Sequence, residues 1–446
     1  FYRFIFIFIC FNLFFKISNI KKDESNYVNK KLNHFGKKNL IVLSFDGISG
    51  YKLNEEILDN FELKKKLKDF KLYKNTITGA PYTFASMNIE LNGKFEESDT
   101  NDFFRNILNQ KNIDSSTYNY YQFITDKNKT SSKGEFLKYN NNFRVNKFIQ
   151  EYFIGSVGRW ASPLGVFALQ ILPHQNFYKS FLNLVFRNSS EDLNPFKEIN
   201  TINHLDLFEF DMIFKNIKKD NDLENVVRMY HFSFSHWPVV VNESCNEVIS
   251  LDKEIKSYNH EKIVLKCISK KIIKFINYLK DQDIYNNSMI VIKSDHAKPN
   301  YVERNYTQKF SDVFKKKSYS KFYKEYPLSQ TINNSFYWGY GRYKPFILIK
   351  DENQIKENLE ISNKQVFLHD LSKTYCEFFS IKRDCGYLKR NDLKKIDSNF
   401  DNHNYDIYLP VKRFTGTKIN EMKKYKISSN TLFYDFFKIN KIILSD

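Results

Sequence analysis

The sequence predicts an α/β fold around a mostly parallel sheet, and three observations lead there. Apolar strand segments recur at 40–43, 226–235 and 288–293, and helical periodicity lies between them, clearest at 261–281. The first of them, Leu40-Ile-Val-Leu43, is continuous rather than alternating, as expected of a strand covered by helices on both faces. Each segment closes on a side chain able to do chemistry: Asp46, His236, or Asp295 with His296. Open α/β sheets gather ligands at the C-terminal ends of their strands, so these residues are expected to share one rim.

The first 38 residues are set apart by composition. Residues 4–15 are apolar except for Asn12, with Arg3 before them and Lys16 after. They are too few to cross a bilayer, which takes about 20 residues. Because the chain opens on Phe1 rather than Met, 1–19 is expected to be either a signal segment or the end of a truncated anchor. Residues 20–38, polar and lysine-rich, read as a linker. The rest is expected outside the cytoplasm, in a periplasmic or extracellular setting at a membrane.

A single large unit is expected over 39–385. After Asp46 comes a helix at 54–69, then an extended piece at 70–78. Gly79 and Pro81 break the chain, Thr83 heads a short helix, and Gly93 stops it. A helix N-terminus carries free N–H groups and partial positive charge, which suits an anionic ligand. Residues 95–225 read as a variable insert, polar to 145 and apolar over 148–186. A helix at 261–281 feeds the strand that ends at Asp295, a further strand is expected at 345–350 and an amphipathic helix at 365–380. The tail 386–446 shows no functional signal.

With 42% hydrophobic and 17% aromatic residues the chain has ample material for a core. Its net charge of +18 does not indicate nucleic acid. The lysines are scattered, accompany many Asn, Ile, Tyr and Phe, and form no nucleic-acid motif; a basic surface near anionic lipid is the expectation. Beyond Cys10, the cysteines fall into two local pairs, Cys245 with Cys267 and Cys376 with Cys385. Local disulfides are expected, free thiols being the alternative.

Asp46, His236, Asp295 and His296, with Thr83 at a nearby helix start, together supply two carboxylates, two imidazoles and a hydroxyl. This mixed oxygen and nitrogen set fits one divalent metal ion, with zinc, manganese, magnesium and calcium all open. Such an ion lowers the pKa of a hydroxyl and neutralises a phosphoryl or sulfuryl oxygen. Thr83 is then the expected nucleophile, with Ser86, one turn later, as the alternative.

In these stretches the chain resembles the sulfatase-like branch of the alkaline phosphatase superfamily. The resemblance lies in Ile41-Val-Leu-Ser-Phe-Asp-Gly, Ala80-Pro-Tyr-Thr-Phe-Ala-Ser, Phe232-Ser-Phe-Ser-His-Trp-Pro and Met289-Ile-Val-Ile-Lys-Ser-Asp-His, with Pro345-Phe-Ile-Leu-Ile-Lys and His369-Asp-Leu-Ser-Lys-Thr-Tyr behind them. It implies an α/β/α sandwich, a metal held by Asp46, Thr83, Asp295 and His296, and a catalytic His236 touching the transferred or leaving group. The sulfatase Cys/Ser-x-Pro-x-Arg motif is missing. A threonine in its place resembles the lipoteichoic acid synthase and phosphoethanolamine transferase branch. That branch implies transfer or cleavage of a phosphate-ester group on a surface glycan or lipid. Ester hydrolysis, and a non-catalytic glycan- or membrane-binding role, are the alternatives.

Overall fold

A computed structural model describes residues 30–92, 113–118, 201–236, 241–246, 258–297, 341–381, 390–398, 400–410 and 422–431. The expected anchor at 1–19, the apolar stretch 148–186, Trp237, Pro238 and Cys385 lie outside the described residues. In chain order the strands are β1 (His34–Phe35), β2 (Lys38–Phe45), β3 (Lys71–Ile77), β4 (Ile113–Tyr118), β5 (Lys218–Lys219), β6 (Asn225–Phe232), β7 (Ser288–Ser294), β8 (Ile347–Lys350), β9 (Glu360–Phe367), β10 (Asn404–Pro410) and β11 (Met422–Ser428). The helices are α1 (Lys30–Asn33), α2 (Gly50–Asp59), α3 (Phe61–Lys66), α4 (Thr83–Asn92), α5 (Thr201–Lys215), α6 (Tyr258–Asp281) and α7 (Asp370–Phe378).

Seven strands form the central sheet in the order β4-β6-β2-β7-β8-β3-β9. β8 runs antiparallel to both of its neighbours, and every other pairing is parallel. Side chains alternate along β2. Ile41, Leu43 and Phe45 pack into one core with α2, α3, α5 and α6, whereas Leu40 and Val42 pack into a second with α4 and α7. All five are fully buried, which is why the segment reads as unbroken apolar. The result is an α/β/α sandwich with a mostly parallel sheet, as expected.

Three stretches differ from the sequence reading. The helix expected at 54–69 is two helices, because Asn60 turns extended and its side chain accepts the Leu63 N–H at 3.0 Å, capping α3. The helix expected over 365–380 starts only at Asp370. Residues 365–367 instead end β9, paired with 75–77, and the Asp370 carboxylate accepts the Phe367 N–H at 3.0 Å. Within the polar stretch, β4 is an edge strand on β6; its polar side chains are half-exposed, so no apolar run marks it. Its Asp114 is bonded to the fully buried Arg228 at 2.6 Å.

The C-terminal region is also structured. β10 and β11 pair as an antiparallel ribbon, and the Tyr408 N–H donates to the Gly79 carbonyl at 2.8 Å. The Tyr343 hydroxyl donates to the Tyr408 carbonyl. The ribbon thus backs the loop that leads into Thr83. Cys245 and Cys267 form a disulfide tying the 241–246 turn to α6. Cys376 is disulfide-bonded as well. Among the described residues, no helix is long and apolar enough to cross a membrane.

Candidate metal centre

Strand register sets the site. Phe45 of β2 lies level with Phe232 of β6 and with Ser294 of β7, so three chains leave the sheet at one height. The next residues are Asp46, Ser233 and Asp295. The Asp46 N–H donates to the Phe232 carbonyl at 3.0 Å, and Ser235 Oγ donates to the Asp46 carbonyl at 2.7 Å. Gly47 has φ 65, a conformation that glycine adopts at no steric cost, and this turn points its N–H at Asp295 Oδ1, 3.0 Å away. Ser294 Oγ donates to the Ile48 carbonyl at 2.8 Å, closing the turn onto β7.

These ties bring Asp46, Asp295 and His296 together, with one candidate ligand atom from each lying within 4.8 Å of the others. His296 Nε2 is 3.5 Å from Asp46 Oδ1 and 3.4 Å from Asp295 Oδ2, and its Nδ1 is 3.0 Å from the Ala297 carbonyl. A ring whose Nδ1 faces a carbonyl carries its proton there and leaves Nε2 as a lone-pair donor. Thr83, the first residue of α4, places Oγ1 3.3 Å from that same Nε2. Two carboxylates brought this close repel one another, and with an imidazole lone pair beside them the set fits a divalent metal.

The electrostatics follow from burial. Burial alone raises the Asp295 carboxyl, but the His296 and His231 rings, the Gly47 N–H and the Thr83 hydroxyl outweigh it and hold Asp295 well below the usual carboxylate range. Burial lowers the His296 imidazole, with Asp295 and Asp46 opposing and Arg342 adding to the effect. Burial also brings the Arg342 guanidinium down to about 10 against the pull of Asp46 and Asp295. Arg342 was not anticipated from sequence, because a lone cation before a strand carries no signal. It reaches the rim because β8 is reversed: its Nη1 donates to the Pro81 carbonyl at 2.7 Å, and its own carbonyl accepts the Ala297 N–H at 2.9 Å.

Beneath the cluster lies a buried polar layer. Ser44 and Lys293 stand two residues before Asp46 and Asp295, hence on the same face of the sheet one step down. Lys293 Nζ meets Glu90 Oε2 of α4 at 2.7 Å and Ser44 Oγ at 3.4 Å, and Ser44 Oγ meets His231 Nδ1 at 3.1 Å. Tyr375 of α7 donates to Glu90 Oε1 at 3.2 Å. Burial raises the Glu90 carboxyl even though Lys293 opposes it.

The remaining expected residues separate clearly. His236 is exposed on the turn after β6, its N–H donating to the Ser233 carbonyl at 2.8 Å, and it is not part of the three-residue cluster. Ser86 is buried at 1% exposure; its Oγ lies 2.5 Å from Thr78 Oγ1 and donates to the Asp295 carbonyl at 2.6 Å. Of the two candidate hydroxyls, the one beside the cluster is that of Thr83.

No family model matches the chain, and no curated protein matches it. Solved structures do. The C-terminal periplasmic domain of EcEptC from Escherichia coli, in complex with Zn, is 13% identical at a TM-score of 0.44, over 89% of this chain and 94% of that one. A phosphonate monoester hydrolase of Agrobacterium radiobacter is 10% identical at 0.42, over 88% and 87%. The lipoteichoic acid synthase LtaP from Listeria monocytogenes is 13% identical at 0.39, over 80% and 75%.

Proposed function

We propose that this chain is a metal-dependent enzyme that cleaves or transfers a phosphate-ester group on a surface glycan or lipid, with Thr83 as the nucleophile. One observation carries the reading: the Thr83 hydroxyl heads a helix 3.3 Å from a histidine that, with two carboxylates, forms a ligand set at the C-terminal rim of the sheet. Asp46, Asp295 and His296 would hold the ion. When bound, it supplies a lowered pKa for the Thr83 hydroxyl and neutralisation of the ester oxyanion.

The chain's own residues then account for the rest. Thr83 Oγ, its proton lost to solvent, bonds to the phosphorus of the ester; the bond from phosphorus to the leaving oxygen breaks, and that oxygen takes a proton from His236, exposed at the rim. An acceptor hydroxyl or water next attacks the phosphorus and releases Thr83. The N–H groups at the start of α4 face the group while it is held. The disulfides support work in an oxidising setting outside the cytoplasm.

The test is a metal-supplemented assay of the full chain on nitrophenyl phosphate, a phosphodiester and a sulfate ester, with mass spectrometry of the peptide bearing Thr83. Thr83→Ala is expected to fold, bind metal and form no adduct, while the parent chain carries the group on Thr83. An adduct on Ser86 would remove Thr83 from the mechanism. No turnover or adduct with any ester would favour a non-catalytic glycan or membrane binder.

A further inference from the structure

Thr83, Ser86 and Glu90 lie three and four residues apart along α4, so helical geometry puts all three on one face. That face lies along β7. Ser86 Oγ is bonded to the Asp295 carbonyl at 2.6 Å, and Glu90 is paired with Lys293 at 2.7 Å. The later residue on the helix meets the earlier residue on the strand, so α4 runs opposite to β7. The spacings match: four helical residues rise about 6 Å and two strand residues about 6.6 Å. Extending the same ruler one turn back from Ser86 carries the helix about 4.5 Å past Asp295. There Thr83 stands beside His296.

We propose that the buried Glu90–Lys293 ion pair is a positioning device for the nucleophile: it fixes the axial register of α4 against β7 and so the height of Thr83 over Asp46, Asp295 and His296. Both side chains of the pair are fully buried. A buried ion pair is rarely retained for stability, because well-packed neutral groups of similar volume do as well or better; setting register is its best-attested use. The bond from Ser86 to the Asp295 carbonyl is one fixed polar point between α4 and β7, and the apolar packing of Met87 and Leu91 in the second core is non-directional, so it does not by itself set the axial height. Lys293 and Glu90 supply the second point. The inference rests on the assignment of Thr83 as nucleophile beside a metal.

The test uses the double variant Glu90→Gln with Lys293→Met, in which glutamine keeps the bond from Tyr375 while the ion pair is gone. The cobalt-loaded protein is the probe, because its visible absorption depends on the oxygen ligands around the ion. The expected results are a melting temperature near that of the parent and equal cobalt content. The absorption spectrum is expected to shift toward that of Thr83→Ala, and kcat to fall about 10- to 100-fold at unchanged KM. A second variant, Glu90→Asp, keeps the charge and shortens the reach by one methylene, and is expected to show the same signature should the first fail to fold. A purely structural pair predicts a changed melting temperature with parental spectrum and kcat, and that result would overturn the proposal. Identical spectra for the parent and Thr83→Ala would also overturn it. A parent chain that turns over no ester but still shows the spectral shift in both variants would sink the proposed function while supporting the register device.

Discussion

At the scale of single residues, the three cluster members are not equivalent to ordinary polar side chains. Removing one leaves the others as uncompensated buried charge or dipole. Asp295→Ala and His296→Ala are therefore expected to lose both metal and turnover, and full metal content by elemental analysis in either variant would contradict their assignment. A second prediction concerns His231, one layer below. Burial, with only partial opposition from Asp295, brings its imidazole down to about 4. In the unfolded chain the same ring protonates near pH 6.5. Between these values the unfolded state binds more protons, so this contribution to stability is full above the unfolded pKa and is lost as the pH falls toward 4. Its size is about 3 kcal/mol for a fully buried ring. His231→Asn is expected to flatten the dependence of stability on pH between 4.5 and 6.5, read from urea midpoints; an unchanged slope would mean that the ring is already charged in the fold.

At the scale of elements, the site is a meeting of strand ends with one helix start, and its precision comes from backbone ties rather than from the functional side chains themselves. The Asp46 turn is bonded to β6 on one side and to β7 on the other. The ribbon of β10 and β11 bears on Gly79, where an added methyl group would come within 2.7 Å of the His369 ring. The 241–246 turn is fixed covalently to α6 through Cys245 and Cys267. Thiol labelling of denatured, unreduced protein from its native host is expected to leave Cys245, Cys267 and Cys376 unlabelled; free thiols there would place the protein in a reducing compartment.

At the scale of the whole molecule, the parallel strands were legible because burial on both faces leaves a continuous apolar signature at 40–43 and 289–292. The placement of Asp46, Asp295 and His296 on one rim was legible because Asp46 and Asp295 each stand three residues past the end of such a run, and His296 is next to Asp295. Edge strand β4 and the 365–367 end of β9 were not, since polar or mixed side chains at a sheet margin look like loop or helix. Arg342, Glu90 and Lys293 were hidden for another reason: nothing local marks a charge whose partner is distant in sequence. The reversed strand β8 has a topological consequence. Because β7 ends and β8 begins at the same rim, the chain leaves the sheet at Ala297 and returns at Arg342, joined there by a 2.9 Å bond between main-chain atoms. Ala297 and Arg342 are therefore close enough for a short Gly-Ser linker to join them, at a small closure cost because the loop is short. Such an excision of 298–340 is expected to leave the melting temperature near that of the parent; a large fall would show that the frame does not close at Ala297 and Arg342. A different segment joined between Ala297 and Arg342 would leave the pairing of β7 with β8, and the sheet beneath, as it is.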